Sequence, residues 1–142
     1  MTSDGPIGIG LDVLGRDELD SLVTRGWFLR YCYAPEEIEQ AQCLEGGRRL
    51  EYLAGRFAAK EAVLKALGKG LFQGIAPRNI CIRRAADGSP HVELRAAAAD
   101  AASQQSVRVS ITHKDSVVAA VALLSQPEQQ RPINDGRRSE HT

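Results

Sequence analysis

The stretch from Leu50 to Gly70, LEYLAGRFAAKEAVLKALGKG, constrains this 142-residue chain more than any other. It predicts a long helix over about residues 48–67 that ends at Gly68, a natural position for left-handed backbone. Glu61 lies only about 40° from the centre of the apolar stripe on this helix, and Lys65 about 80° from it on the same flank. A carboxylate so close to the buried face is costly unless a partner compensates its charge. The stripe consists of Leu50, Leu53, Ala54, Phe57 and Leu64.

The composition is that of an ordinary globular domain, with 43% hydrophobic and 25% charged residues. The formal net charge is zero, which gives the molecule as a whole no electrostatic reason to bind nucleic acid or a membrane surface. The cysteines form no CxxC pair, so neither a zinc site nor a disulfide framework is indicated, and a reduced, cytoplasmic compartment is expected. Neither a signal-peptide pattern nor an apolar run of about 18 residues is present.

The order of the predicted elements indicates an α+β fold in which the long central helix packs on an antiparallel sheet. Gly8 and Gly10 in the first strand predict that another backbone or a neighbouring subunit approaches closely. We expect one domain over residues 1–125 and a disordered tail over residues 126–142. Strands are predicted at residues 7–13, 79–84, 90–95, 107–111 and 117–124, further helices at residues 17–29 and from residue 35 to near residue 46, and a short helix or loop at residues 96–102.

Three charged features stand apart from the core pattern: Asp12, the pair Glu61 and Lys65, and His113. Asp12 is either a strand-terminal aspartate or a ligand of a hard cation. An i,i+4 ion pair explains the spacing of Glu61 and Lys65 but not the position of Glu61 beside the apolar stripe. The alternative is that Asp12 and Glu61 bind Mg²⁺ while Lys65 contacts a phosphate. His113 is either a structural or surface histidine or a phosphate ligand.

Five motifs, in the family's order, resemble those of the holo-(acyl-carrier-protein) synthases, the small trimeric branch of the 4′-phosphopantetheinyl transferases. Residues 8–12, GIGLD, are similar to the first family motif, GIGxD. Residues 55–68 match the long signature FAxKEAxxKAxG, which is the most specific of the five. Residues 79–82, 87–90 and 109–113 resemble the later strands, the turn and the SITH segment, so that the resemblance covers about residues 7–124.

This resemblance implies transfer of the phosphopantetheine group of coenzyme A to a serine of an apo acyl carrier protein, with release of adenosine 3′,5′-bisphosphate. It implies Mg²⁺ held by Asp12 and Glu61 against the pyrophosphate, proton acceptance by Glu61 or a metal-bound water, and a contact between Lys65 and the departing phosphate. It also implies a cytoplasmic homotrimer with active sites at subunit interfaces, acting in fatty-acid or polyketide biosynthesis. The coenzyme-A-binding residues that it implies are Arg56, Lys60, Gly68 and His113.

One stretch, Leu14–Glu18, departs from the family pattern and concerns carrier-protein docking. The family's glutamate and arginine positions are occupied here by Gly15 and Glu18, and the next predicted helix begins with acidic residues. We therefore expect an atypical carrier with a less acidic docking helix, such as a dedicated polyketide or nonribosomal-peptide carrier. The altered stretch also leaves a second reading, a non-catalytic homologue that binds coenzyme A or a carrier protein. The unchanged candidate catalytic residues oppose that reading.

Overall fold

The structure is a computed structural model that describes residues 8–70 and 73–126. Its helices are α1 (Gly26–Cys32), α2 (Pro35–Gln42), α3 (Gly46–Ala66) and α4 (Ala96–Ala102). Its strands are β1 (Gly8–Gly15), β2 (Ile80–Arg84), β3 (Pro90–Leu94), β4 (Ser106–Lys114) and β5 (Val117–Ser125). Short 3-10 turns cover Arg16–Leu19 and Pro77–Asn79. The predicted α+β fold with a long central helix on an antiparallel sheet is confirmed.

The long helix α3 is the centre of the core, as its sequence predicts. Leu53, Ala54 and Leu64 of the predicted stripe are buried, and so are several alanines between them. These small side chains allow the sheet to lie close to the helix axis. The helix ends where expected, because Gly68 adopts left-handed backbone (φ +73°) and the Lys69 N–H donates to the Leu64 carbonyl at 2.8 Å.

Strands β1, β5 and β4 form an antiparallel sheet in that order, and one face of this sheet packs on α3. A Cβ placed on Gly10 would lie only 1.8 Å from the Ala62 carbonyl oxygen, and one on Gly8 only 2.5 Å from that of Ala66. The close approach predicted from the two glycines is therefore made by the backbone of α3 within the same chain. Only glycine lets β1 lie so near the helix.

The opposite face of this sheet, which we call the outer sheet face, is apolar and exposed. The register places Ile9 opposite Leu123 and Leu11 opposite Val121, and these side chains point away from α3. Their exposure ranges from 37% for Val121 to 69% for Ile9. The alternating apolar residues of β1 thus lie on the outside, whereas Gly10 and Asp12 face the helix. An apolar patch of this kind is typical of a surface that contacts another protein.

Strands β2 and β3 form a separate antiparallel hairpin, which a buried ion pair ties to the helices. The Lys60 Nζ donates to Glu37 Oε1 at 2.5 Å and to the Ile80 carbonyl at 2.5 Å, and both charged side chains are essentially unexposed. Glu37 also accepts the backbone N–H groups of Ala34 and Ile82. This network joins α2, α3 and β2 at one point in the core.

The predicted helix over residues 17–29 is wrong in its extent. Leu19 is buried at the end of a 3-10 turn, and Arg25 has extended backbone (φ −95°, ψ 121°) before α1 begins at Gly26. Within this region Trp27 is 54% exposed, whereas Phe28 is buried. Helix α2 ends at Gln42, before the predicted end near Gly46. Residues 1–7, which include the first residue of the predicted strand, and residues 127–142 of the predicted tail lie outside the described residues.

Candidate active site

Asp12 and Lys65 meet where β1 crosses the C-terminal half of α3. The Lys65 Nζ donates to Asp12 Oδ1 at 3.2 Å and to the Leu11 carbonyl at 2.9 Å. The Asp12 side chain is 16% exposed and the Lys65 side chain 51% exposed. The lysine therefore bridges the strand and the helix while its ammonium group still faces solvent.

Glu61 lies one helical turn before Lys65, and one of its carboxylate oxygens is buried without a partner. Its Oε1 atom has no hydrogen bond within the described part of the chain. Burial raises the pKa of the Glu61 carboxyl, and the nearby Asp12 carboxylate raises it further, while Lys65 acts in the opposite direction. A buried, unpaired carboxylate oxygen is expensive. The arrangement therefore favours the arrival of a cation.

The carboxylates of Asp12 and Glu61 fit a divalent cation that takes its remaining ligands from a substrate and water. Among residues 8–70 and 73–126, no group of three or more His, Cys, Asp or Glu side chains could hold a metal by itself. Mg²⁺ commonly uses one or two protein carboxylates together with substrate phosphates. The unpartnered Glu61 oxygen is the specific feature of the site that such an ion would satisfy.

Lys60, predicted to bind coenzyme A, lies instead in the core. Its side chain has no exposed surface, and its ammonium group is surrounded by Glu37 and by the carbonyls of Pro77 and Ile80. Burial lowers the pKa of Lys60, and the Glu37 carboxylate acts against that change. An ammonium group enclosed in this way is not accessible to a phosphate. The sequence prediction for Lys60 is therefore corrected to a structural ion pair.

A second charged region, which we call the cationic pocket, lies beside the N-terminal half of α3. It is a cavity of about 300 Å³ into which several basic side chains and the carboxylate of Glu51 project. Arg56 stacks its guanidinium on the Tyr52 ring, 4.4 Å from the ring centroid, and its buried Nε has no hydrogen-bond partner within the described residues. The basic residues of the pocket are Arg48, Arg56, Arg84 and His113. Their chemistry fits a phosphate group.

The cationic pocket contains Arg56 and His113, two of the residues predicted to bind coenzyme A, together with Arg48 and Arg84. Arg48 lies two turns before Arg56, a spacing that places both on one side of the helix and could have been found in the sequence. Arg84 comes from the end of β2, which no local pattern relates to α3. An adjoining cavity of about 360 Å³ shares Leu44, Tyr52, Arg56 and Arg84 with the cationic pocket.

The cationic pocket and the Asp12–Glu61–Lys65 cluster lie at different ends of α3. Glu51 and Glu61 are ten residues apart, which is about 15 Å along a helix. Gly68 belongs to the second end, just after Lys65, and it is exposed. One chain therefore presents two separate charged regions, one suited to a metal and one suited to a phosphate.

Comparison with known proteins agrees with this arrangement. A family model described as the 4′-phosphopantetheinyl transferase superfamily matches residues 8–122. The chain belongs to this superfamily. Within it, the resemblance to the holo-(acyl-carrier-protein) synthases is confirmed by relatives that carry this name.

One such relative, from Listeria monocytogenes serotype 4a, is 38% identical over 118 residues, which cover 82% of this chain and 96% of the relative. A solved holo-(acyl-carrier-protein) synthase from Bacillus anthracis, in complex with CoA (3′,5′-ADP), superposes with a TM-score of 0.74 at 28% identity and covers 84% of this chain and 96% of that one. The Helicobacter pylori enzyme in complex with coenzyme A gives a TM-score of 0.71 at 28% identity, covering 82% and 99%.

None of the described helices is long and apolar enough to cross a membrane.

Proposed function

We propose that this protein transfers the 4′-phosphopantetheine group of coenzyme A to a serine of an apo acyl carrier protein and releases adenosine 3′,5′-bisphosphate. The observation that carries the proposal is the buried, unpartnered Glu61 oxygen beside Asp12 and Lys65, in a member of this transferase superfamily. Solved relatives hold coenzyme A or 3′,5′-ADP. Coenzyme A carries a pyrophosphate, which suits the region of Asp12, Glu61 and Lys65, and a further phosphate, which suits the cationic pocket.

Asp12 and Glu61 are the residues that would hold Mg²⁺ against the pyrophosphate. An ion held there would supply positive charge to the pyrophosphate during transfer. Asp12 orients Lys65 through the contact at 3.2 Å, so the ammonium group is held beside Asp12 while it still faces solvent. From there Lys65 can stabilise the negative charge on the departing phosphate. Gly68, directly beyond this lysine, allows the chain to turn close to the same phosphates.

Glu61 is the candidate for accepting the proton of the attacking serine. Burial raises its pKa above the usual glutamate range, and a carboxylate with a raised pKa is a better general base near neutral pH. Because the same residue is a candidate metal ligand, the proton could pass to the carboxylate directly or through a bound water.

Arg56 and His113 are the candidates for holding the nucleotide end of coenzyme A, in the cationic pocket. The two regions lie about 15 Å apart along α3, which makes it difficult for one coenzyme A to use both from a single chain. The family resemblance implies a homotrimer in which neighbouring copies complete each site. The outer sheet face is a suitable subunit interface for such a trimer. Its exposed Ile9, Leu11 and Val121 form the kind of apolar surface that oligomers bury.

The carrier protein is expected to differ from carriers that have an acidic docking helix. In the turn after β1, Asp17, Glu18 and Asp20 are exposed, where the family pattern would place a basic residue at position 18. Like charges across an interface cost affinity, so an acidic docking helix would be disfavoured here. We expect faster modification of a carrier with a less acidic helix than of a fatty-acid carrier. Equal efficiency on both carriers, or no gain for a fatty-acid carrier with Glu18→Arg, would contradict this expectation.

The reaction itself is tested by following the nucleotide product. The protein is incubated with coenzyme A, Mg²⁺ and an apo carrier protein, and adenosine 3′,5′-bisphosphate is measured by chromatography. Formation of this product only when carrier and Mg²⁺ are both present would support the proposal, and chelation of the metal should stop it. The alternative, a non-catalytic homologue, predicts binding of coenzyme A without product.

A further inference from the structure

Glu51 is an unexpected residue in the cationic pocket, because among the described residues that line the pocket it is the one acidic side chain. It projects from α3 between Arg48 and Arg56, and its Oε1 lies 2.7 Å from Nδ1 of His113 at the end of β4. The two side chains remain 35% and 60% exposed, so both can contact a ligand in the cavity. A carboxylate in an anion-binding pocket weakens the attraction for phosphate. Its presence there therefore calls for another function.

The contact with His113 defines that function. An ionised carboxylate only accepts hydrogen bonds, so an imidazole nitrogen at 2.7 Å is compatible with it only when that nitrogen carries a proton. The proton of His113 is thereby assigned to Nδ1, and Nε2 is the nitrogen left for a ligand. A phosphate also accepts hydrogen bonds, so His113 can bind it through Nε2 only when this nitrogen is protonated as well.

We propose that Glu51 is a positioning residue for coenzyme A: it holds the His113 imidazole by Nδ1, so that an Nε2–H points at a phosphate group in the cationic pocket. This inference rests on the proposed function. The other charged groups that face this imidazole across the cavity are Arg48 and Arg56 from α3 and Arg84 from β2. They supply the positive charge, whereas Glu51 supplies the orientation.

The phosphate could be either of two groups of coenzyme A, the pyrophosphate or the terminal phosphomonoester. The proposal concerns the chemistry that both share, an oxygen acceptor opposite the imidazole. Dephospho-coenzyme A, which lacks the terminal phosphomonoester, distinguishes them. If the pocket takes the terminal group, the effect of changing Glu51 disappears with this substrate; if it takes the pyrophosphate, the effect remains.

The experiment compares the steady-state kinetics of the wild type with Glu51→Gln, His113→Ala and the double variant. We expect Glu51→Gln to raise KM for coenzyme A roughly tenfold with kcat nearly unchanged, as for loss of a charge-assisted contact. In the double variant the effect of Glu51→Gln should vanish, since its target is absent. Glu39→Gln, an exposed glutamate of α2 outside the cavity, is the matched control and should leave KM unchanged.

A spectroscopic measurement tests the positioning without any turnover. The ¹⁵N chemical shifts of the His113 ring should show a protonated Nδ1 in the free wild type and protons on both ring nitrogens once coenzyme A is bound. In Glu51→Gln without ligand they should show a mixture of tautomers. A neutral ring protonated on Nε2 in the wild type would overturn the proposal, and so would an unchanged KM in Glu51→Gln. If the wild type transfers no phosphopantetheine to any carrier, the proposed function fails instead, and the ¹⁵N result still decides the role of Glu51.

Discussion

At the scale of single residues, Glu61 destabilises the metal-free fold and is proposed to act in the active site. Its pKa is raised by burial, so its protonated form is favoured in the folded chain. Stability from this group is therefore fully present below the unfolded pKa and is lost as pH rises toward the folded pKa. At neutral pH the ionised carboxylate destabilises the metal-free protein.

Glu61→Gln should raise the melting temperature of the metal-free protein at pH 7 while lowering kcat by at least about a hundredfold, because the proposed proton acceptor and metal ligand is lost. Adding Mg²⁺ together with coenzyme A should stabilise the wild type more than the variant. Differential scanning calorimetry with and without the metal measures the changes in melting temperature, and steady-state kinetics measure kcat. A lower melting temperature for Glu61→Gln without metal would contradict the account.

Lys60 gives the opposite case, a charged residue whose use is structural. Lys60→Met should lower the free energy of unfolding by about 3–5 kcal/mol, because Glu37 would be left buried and unpaired. Lys65→Met, at an exposed position of the same helix, should change stability by less than about 1 kcal/mol. Urea unfolding compares the two variants directly. Similar midpoints for both would show that the Glu37–Lys60 pair is not important to the fold.

The helical pattern was sufficient to separate Glu61 and Lys65 from the core, but not to place Lys60. Glu61 and Lys65 could be predicted because their angles relative to the apolar stripe depend on one helix alone. The position of Lys60 depends on Glu37, which comes from another helix 23 residues earlier. No local periodicity contains that partner, and the prediction that Lys60 binds coenzyme A came from the family resemblance alone.

At the scale of elements, the contact between β1 and α3 positions Asp12 beside Glu61 and Lys65. Gly10→Ala should separate the two elements, since its Cβ would overlap the Ala62 carbonyl, and should cost about 2 kcal/mol or more of stability together with most of the activity. Gly47→Ala is the matched control, because nothing lies within 4 Å of its added Cβ and it occupies the first turn of α3. Chemical denaturation and product formation measure both changes. A Gly10→Ala variant as stable and active as Gly47→Ala would contradict this packing.

An ion network on the surface joins α2 to the β2–β3 hairpin. Arg95 donates to both oxygens of Glu36, and these bonds lower the pKa of Glu36 to about 2. The stabilisation is therefore present above the usual glutamate range and is lost as pH falls toward 2. It is small, because the Glu36 side chain is 44% exposed and solvent screens the pair.

Glu36→Gln should accordingly lower the urea midpoint slightly at pH 6 but not at pH 2, with Glu39→Gln as the control on the same helix. High salt should reduce the difference at pH 6. A difference that is equally large at both pH values would exclude this ion network as its cause.

Element types were more predictable than element boundaries. The hairpin at Asp87 and Gly88, the two long strands and α3 were all predicted, because their turn residues and periodicities are local. The region from Asp17 to Trp27 was not, since the spacing of Leu19 and Leu22 fits a helix. The chain instead buries Leu19 against α3 in a short turn and starts a new helix at Gly26, a choice made by tertiary packing.

At the scale of the whole molecule, the apolar residues of β1 acquire a different meaning. Their alternation predicted a strand with one apolar face, and a core position would have been the usual inference. The structure exposes Ile9, Leu11 and Val13, because the glycine face of the strand is the one that packs on α3. The sequence pattern of one chain cannot show whether an apolar face meets its own core or another copy.

The proposed homotrimer, in which neighbouring copies complete each site, makes a prediction that a site within a single chain does not. Glu61→Ala and Arg56→Ala should each be nearly inactive, but mixtures refolded together should regain activity, because some sites then combine an intact Glu61 from one copy with an intact Arg56 from its neighbour. Native mass spectrometry should show a trimer for the wild type, and Leu11→Glu on the outer sheet face should break it. A monomeric wild type, or mixtures without recovered activity, would contradict this arrangement.

The central claim is that Glu61, with Asp12 and Lys65, serves phosphopantetheine transfer. The most direct test is the intact mass of an apo carrier protein after incubation with coenzyme A, Mg²⁺ and either the wild type or Glu61→Ala. We predict that the carrier gains the mass of one phosphopantetheine group with the wild type and gains nothing with the variant, whose circular dichroism remains that of a folded protein. A carrier modified equally by both proteins, or by neither, would contradict the claim.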